Sequence, residues 1–237
     1  YHRVAIFGLT GDPFTIAHRN ICRQAIDFLG IDKLYVIPTV VDYHRNGKVR
    51  WLTDLQRVYC MEEMLWTLGS KYNHRYEIDT NELALKSLCE GDEALYDEVI
   101  KPRRFIHTLL DFKARLAKSE EFDAPPDIML IIGVDELRIF KSWHRWDAVL
   151  ANINCLVVVD ESDCDEIGHD YLSEIYEKVR GRVRTLHLSD DNLRRVSATA
   201  IRKCNYGCLE DYLRDVQKYD LGELDLKKVR WTEKKGR

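Results

Sequence analysis

Val4-Ala5-Ile6-Phe7-Gly8-Leu9-Thr10-Gly11-Asp12-Pro13-Phe14-Thr15-Ile16-Ala17-His18 decides the fold of this 237-residue chain. An apolar run stops at Gly8, a short loop of Gly, Thr and Pro follows, and Thr15 opens a segment with helical spacing. Strand, tight loop and helix start together make an anion site: the loop can turn its N–H groups toward one point, and the helix adds unpaired amides and the positive end of its dipole. With Thr15 in the first turn, His18 lies three residues on and shares its face, which puts a hydroxyl and an imidazole beside a bound phosphate.

Working outward, Ile16 to Leu29 carries Ile21, Ala25, Ile26, Phe28 and Leu29 at helical spacing, and Gly30 is a natural stop. Lys33 to Ile37 reads as a strand ended by Pro38, completing a β-α-β unit whose strands should be parallel. Thr39 to Arg50 is polar and aperiodic, a loop. Thr53-Asp54-Leu55-Gln56 has capping-box form, and a helix follows toward Gly69. Arg75 to Asp79 is a short strand. Leu83 to Asp123 is mostly helical in pattern, broken at Pro102, and Ile128 to Ile132 is an apolar run of the kind buried on both faces of a parallel sheet. Helical pattern returns from Glu136 to Leu150, and further strands are read at Cys155 to Val159 and Val183 to Leu188. A helix is expected over Tyr171 to Val179, another opening at Ser197, and a last one over Leu209 to Tyr219.

Strands alternate with helices about six times, which predicts an α/β, doubly wound, mostly parallel sheet. One domain spanning 1–237 is expected, with a helical insertion at approximately 85–125 and a small helical region at 197–237. In such sheets ligands bind beyond the carboxyl ends of the strands, so Gly8, Pro38, Gly133, Asp135 and the loop after Leu188 should meet at one cleft.

Composition narrows the ligand. Lys and Arg number 36 against 40 Asp and Glu, a net charge of −4, so phosphate recognition must be local and a general nucleic-acid binder is disfavoured. The 7 cysteines include no C-x-x-C pair, which argues against a zinc site or a secreted disulfide framework and for a reducing, cytoplasmic setting. No stretch reaches the roughly 18–20 apolar residues of a membrane span.

Two further stretches carry chemistry. In Arg194-Arg195-Val196-Ser197-Ala198-Thr199-Ala200-Ile201-Arg202, a hydroxyl pair at a helix start can cap free amides and donate to phosphate, and Arg202, a turn later, brings a planar cationic fork. Two anion sites at opposite ends of one chain suit a nucleoside triphosphate. In Ile132-Gly133-Val134-Asp135, followed by Phe140, Trp143 and Trp146, Asp135 stands where it could accept from ribose hydroxyls, and Trp143 offers a flat face for an aromatic ring. Structural roles compete with each of these: Thr15 as an N-cap, His18 as a partly buried histidine, Asp135 as the cap of the next helix, and both tryptophans, three apart on one helical face, as core.

Gly8 followed by Thr15-Ile16-Ala17-His18 resembles the mark of the nucleotidyltransferase superfamily, a strand-end Gly and then Thr/His-x-Gly-His, with Ala17 for the glycine and Gly11 where an aromatic is common. The Val196 to Arg202 segment resembles that superfamily's Ile-Ser-Ser-Thr-x-Ile-Arg motif. The Ile132 to Trp146 segment is similar to the Ile-Gly-x-Asp…Phe-x-x-Trp-x-x-Trp run of nicotinate and nicotinamide mononucleotide adenylyltransferases. Asp42-Tyr43-His44-Arg45, Arg57 and Asp79 to Leu83 fall into the same register. The likeness covers most of the chain outside roughly 85–103.

This resemblance implies a Rossmann-like fold and transfer of the AMP moiety of ATP to a pyridine mononucleotide, with release of pyrophosphate. It implies ATP at Phe7, Gly8, Thr10, Thr15, His18, Gly133, Asp135, Ser197, Thr199 and Arg202, and the mononucleotide at Gly8, Leu9, Thr10, Arg45, Thr108 and Trp143. His18, Thr15 and Arg202 would carry the transfer. Mg²⁺ is expected on the ATP phosphates without a dedicated protein cage; no nucleic acid or membrane partner is expected, and a homo-oligomer is compatible. Other members of the superfamily, a phosphopantetheine adenylyltransferase or a cytidylyltransferase, and a nucleotide-sensing relative without efficient transfer, are the alternatives.

Overall fold

The computed structural model describes residues 2–40, 50–160, 173–175, 177–178, 182–188, 196, 198–203 and 206–220. Six strands form one sheet: β1 (Arg3–Leu9), β2 (Lys33–Pro38), β3 (Tyr76–Ile78), β4 (Asp127–Gly133), β5 (Cys155–Val159) and β6 (Val183–Leu186). The order is β3-β2-β1-β4-β5-β6, and every pairing is parallel. This is the doubly wound order of Rossmann-like folds, with its switch point between β1 and β4.

The pleat explains why both faces are covered. Along β1, Ala5 and Phe7 join one buried cluster, while Val4 and Ile6 join another on the opposite face. The first cluster takes in α1 (Ile16–Phe28), α2 (Asp54–Trp66) and α9 (Leu209–Asp220). The second takes in α5 (Phe105–Leu116), α6 (Val134–Ile139) and α7 (Trp146–Ala151).

Local sequence accounts for most of these elements. Thr53 and Gln56 form the expected reciprocal cap of α2, and Gly30, with φ +64°, follows the end of α1. Two features depart from the sequence reading. Between β3 and β4, α3 (Asn81–Leu88), α4 (Glu93–Val99) and α5 differ in kind: α4 buries no residue, while α5 sets Ile106, Leu109, Phe112 and Leu116 into the core, so α5 is part of the sheet's packing. The continuous helix expected from Glu136 to Leu150 is broken. A 3-10 turn at Phe140–Ser142 leads into Trp143 with extended backbone, and Arg145 takes the left-handed φ of 54° before α7. Trp143 and Trp146 are therefore not on one helical face.

Gly11 is required on two counts. Its φ is +59°, and a Cβ there would lie 2.2 Å from the Met61 methyl. Gly133 has nothing within 4 Å of the same construction and an ordinary φ. Gly11→Ala is expected to lower stability by about 2 kcal/mol, and Gly133→Ala by less than about 0.5 kcal/mol, read from urea midpoints at equal slope.

Candidate nucleotide cleft

At the carboxyl end of the sheet, over the switch point, lies a cleft of about 710 Å³. Its lining includes Phe7, Gly8, Leu9, Thr10, Gly11, Ala17 and His18 from the first loop and helix. Gly133, Val134, Asp135 and Arg138 come from β4 and α6, and Val159, Asp160, Leu188, Val196, Thr199 and Arg202 from the far side. Thr39, Phe105 and Trp143 close the other end. Of the expected site residues, Phe7, Gly8, Leu9, Thr10, His18, Gly133, Asp135, Trp143, Thr199 and Arg202 are brought together here. Arg45 and Ser197 lie outside the described residues, as do His44, Lys48, Arg194, Arg195 and the basic stretch 227–237.

Thr15 and Thr108 lie outside the cleft lining. Thr15 is fully buried and is not part of the lining; its hydroxyl accepts from the His18 N–H at 3.3 Å, and its own N–H donates to His18 Nδ1 at 3.0 Å. The pair is a capping box with histidine in the place of the usual Glu or Gln. Thr108 is buried as well and donates to Glu82 at 3.1 Å. Burial pushes the Glu82 carboxyl up, opposed by that hydroxyl, by Arg103, by the Val40 N–H and by Arg57.

The cap determines the chemical state of His18. A backbone N–H can only donate, so Nδ1 is an acceptor and the ring proton resides on Nε2. Burial, with Phe14 and Phe7 ring centroids 5.3 and 6.0 Å away, lowers the pKa to about 4. His18 thus presents a neutral N–H donor at the cleft.

Arg202 enters from α8 (Ala198–Lys203), whose residues lie far along the chain. Its guanidinium donates to the Asp12 carbonyl and, at 3.0 Å, to Thr199 Oγ1. The cation is thereby anchored against the first loop, with further N–H donors left over. Asp135 does not cap α6: Gly133 holds the cap position, while the Asp135 carboxylate is 94% exposed and pairs with Arg138 at 3.1 Å.

The opposite end is aromatic. The Trp143 ring lies 5.2 Å from Phe105 and 4.9 Å from Phe140, centroid to centroid. Gly8 makes room for this wall, since a Cβ there would meet the Phe105 ring at 3.2 Å. Trp146 turns to other contacts, under Lys178 at 4.6 Å.

Sequence reasoning missed Phe105 as a wall residue and passed over the placement of Arg57. Arg57 is fully buried; Nε donates to the Thr10 carbonyl at 2.7 Å, and the two terminal nitrogens donate at 2.8 Å to the Thr39 carbonyl and to Asp54. The signal was available: Arg57 falls on the stripe continued by Cys60, Met61, Met64 and Leu65, the buried face of α2.

A cytidylyltransferase-like family model matches residues 6–204, a span containing the strand, loop, cleft and Arg202. The chain belongs to the cytidylyltransferase-like family. A protein of Albidiferax ferrireducens named probable nicotinate-nucleotide adenylyltransferase is 28% identical over 148 residues, covering 62% of this chain and 61% of that protein. One of the same name from Pseudomonas paraeruginosa is 26% identical over 173 residues, covering 73% and 68%. The chain thus spans about three fifths of the length of the first of these relatives. The solved Plasmodium falciparum nicotinic acid mononucleotide adenylyltransferase, complexed with NaAD, superposes with a TM-score of 0.60 at 13% identity, covering 95% of this chain and all of that one. At that identity the likeness is one of fold, and it agrees with the observed sheet order.

The cap and the burial of His18 make a direct prediction. In the free protein its imidazole should remain neutral, with the proton on Nε2, down to a pH of about 4. Between the ordinary histidine pKa, about 6.5, and that value the unfolded chain binds a proton that the native chain refuses. The contribution of His18 to stability is therefore complete above about pH 6.5 and falls on acidification. ¹⁵N-detected histidine NMR across pH 4–8 reads both tautomer and titration; a His18 midpoint near 6.5 contradicts the assignment.

Proposed function

We propose that this protein is an adenylyltransferase that joins nicotinate or nicotinamide mononucleotide to the AMP moiety of ATP and releases pyrophosphate, a step of NAD biosynthesis. The observation that carries the reading is the polarity of the cleft: phosphate donors at the switch point, His18 and Arg202 among them, with an aromatic wall of Phe105 and Trp143 at one end. The names of the relatives support adenylyl transfer and the nicotinate form of the acceptor.

In this reaction an oxygen of the mononucleotide phosphate attacks the α-phosphorus of ATP in line. The bond from that phosphorus to the bridging oxygen of the leaving pyrophosphate breaks, and the electron pair leaves with the pyrophosphate. No covalent enzyme intermediate is needed, so the protein's contribution is alignment and charge stabilisation. His18 Nε2–H donates to a phosphate oxygen without needing to gain or lose a proton. Arg202 supplies the fixed cation, Asp135 and the Gly133 turn meet the ribose side, and Trp143 packs on the pyridine ring. Thr15 acts through His18 by holding its tautomer.

Among the described residues no group of three or more His, Cys, Asp or Glu side chains is arranged to hold a metal ion. The carboxylates of the lining are Asp135, Glu136 and Asp160. This donor set suits magnesium carried by the triphosphate as MgATP, where it offsets phosphate charge and keeps its waters.

Purified protein with ATP, Mg²⁺ and each mononucleotide, assayed for pyrophosphate, tests the proposal. Release is expected with both the nicotinate and nicotinamide forms, with kcat/KM values within about a thousandfold of each other; phosphopantetheine and choline phosphate should give none, and ATP binding without release from any acceptor sinks the reading. His18→Ala should lower kcat by roughly 10²–10³-fold while the protein remains folded by circular dichroism. Trp143→Ala should raise KM for the mononucleotide about three- to tenfold with little change in KM for ATP.

A further inference from the structure

Arg57 is absent from the cleft lining, yet its guanidinium holds backbone at two places in that lining, one in the first loop and one at the aromatic end. Burying a cation completely is costly unless its donors are paired, and here three of its bonds go to two carbonyls and a carboxylate. The carbonyls belong to Thr10, in the first loop, and Thr39, just past β2. In a trans peptide the C=O and the following N–H point in opposite directions. A Thr10 carbonyl turned to Arg57, and so toward α2, therefore turns the Gly11 N–H away from α2. The Thr39 carbonyl is fixed on the same guanidinium, so the end of β2 and the first loop share one anchor.

Charge adds to shape. Asp54, the acidic partner of Arg57, is shared with Arg50 and Lys86. Burial raises the Asp54 pKa, but Lys86, Arg50 and Arg57 together outweigh it and hold the carboxyl below its usual range. Asp54 is thus one carboxylate shared by three cations, none of which lines the cleft.

We infer that Arg57 is a positioning residue for the triphosphate: it turns the Thr10–Gly11 peptide so that the Gly11 N–H faces the phosphates, and it provides a buried positive charge behind the loop. The inference rests on the proposed ATP site, and its test uses binding so that it stands apart from turnover. A lysine at this position keeps the charge but offers a single ammonium in place of a planar fork and cannot hold two carbonyls and Asp54 in the same geometry.

The experiment compares ATP with adenosine, which lacks the phosphates, by titration calorimetry and ligand-observed NMR on the full chain. Arg57→Lys should weaken ATP by about 10- to 30-fold and leave adenosine within about threefold of wild type. In Arg57→Ala, millimolar guanidinium should restore ATP affinity at least in part, and methylammonium should not. ATP affinity of Arg57→Lys within threefold of wild type, or an equal loss for both ligands, overturns the inference. If neither variant folds by thermal melting, Asp54→Asn decides: a loss of about three- to tenfold for ATP with adenosine unchanged supports the role, and unchanged ATP affinity refutes it. Wild-type protein that binds ATP but releases no pyrophosphate would defeat the adenylyltransferase reading while leaving the claim for Arg57 to these affinities.

Discussion

The structure depends on how the carbonyl oxygens of one short loop are disposed. A loop that is to present N–H groups to an anion must send its carbonyls elsewhere, because a carbonyl facing a phosphate repels it and a buried carbonyl without a donor is costly. Here the Thr10 carbonyl goes to Arg57, the Asp12 carbonyl to Arg202 and the Phe14 carbonyl to Tyr212. The Asp12 carboxylate accepts the N–H groups of Trp51 and Leu52. Donors from α2, α8 and α9 thus converge on three carbonyls within the five residues from Thr10 to Phe14. The first core packs these helices onto the sheet, and the packing holds the loop in shape.

The sheet gives the cleft its direction. Because β2 and β4 flank β1 on opposite sides, the elements following β1 and β4 diverge and leave a crevice above β1. Moving from β2 across β1 and β4 to β5, the lining changes from aromatic, through the glycine loop and His18, to Asp135 and then Asp160. A ligand that is aromatic at one end, anionic in the middle and a nucleoside at the other end matches that sequence of surfaces. His18 illustrates how neutral polarity is maintained at the centre: its cap partner consumes Nδ1, burial opposes protonation, and what remains is one directed N–H.

Much of this was legible in particular residues. The strand ends at Pro38 and Gly133, the capping sequence at Thr53 and the cap at Thr15 all follow from short-range chemistry, and the structure contains each of them, while β1 runs one residue past Gly8 to Leu9. Trp143 was found in the cleft and Trp146 out of it, but for a reason the periodicity did not contain. The 3,4 spacing suggested one helix, whereas the backbone turns through a left-handed Arg145, which separates the two rings. Thr15 shows the same limit more sharply. Its hydroxyl was expected at the phosphate, and its satisfied cap faces inward, because an N-cap side chain folds back on its own helix.

Local sequence alone determined most of the strands and the caps at Thr15 and Thr53, since these depend on neighbours within a turn or a pleat. Only the tertiary structure decided which arginines hold the loop, which threonine is hidden, and which aromatic faces the cleft. Those outcomes turn on partners 47, 190 and 198 residues apart, Arg57 with Thr10, Arg202 with Asp12 and Tyr212 with Phe14. No local pattern can specify such pairs; they are selected when the two faces of the sheet are covered and each buried carbonyl must find a donor.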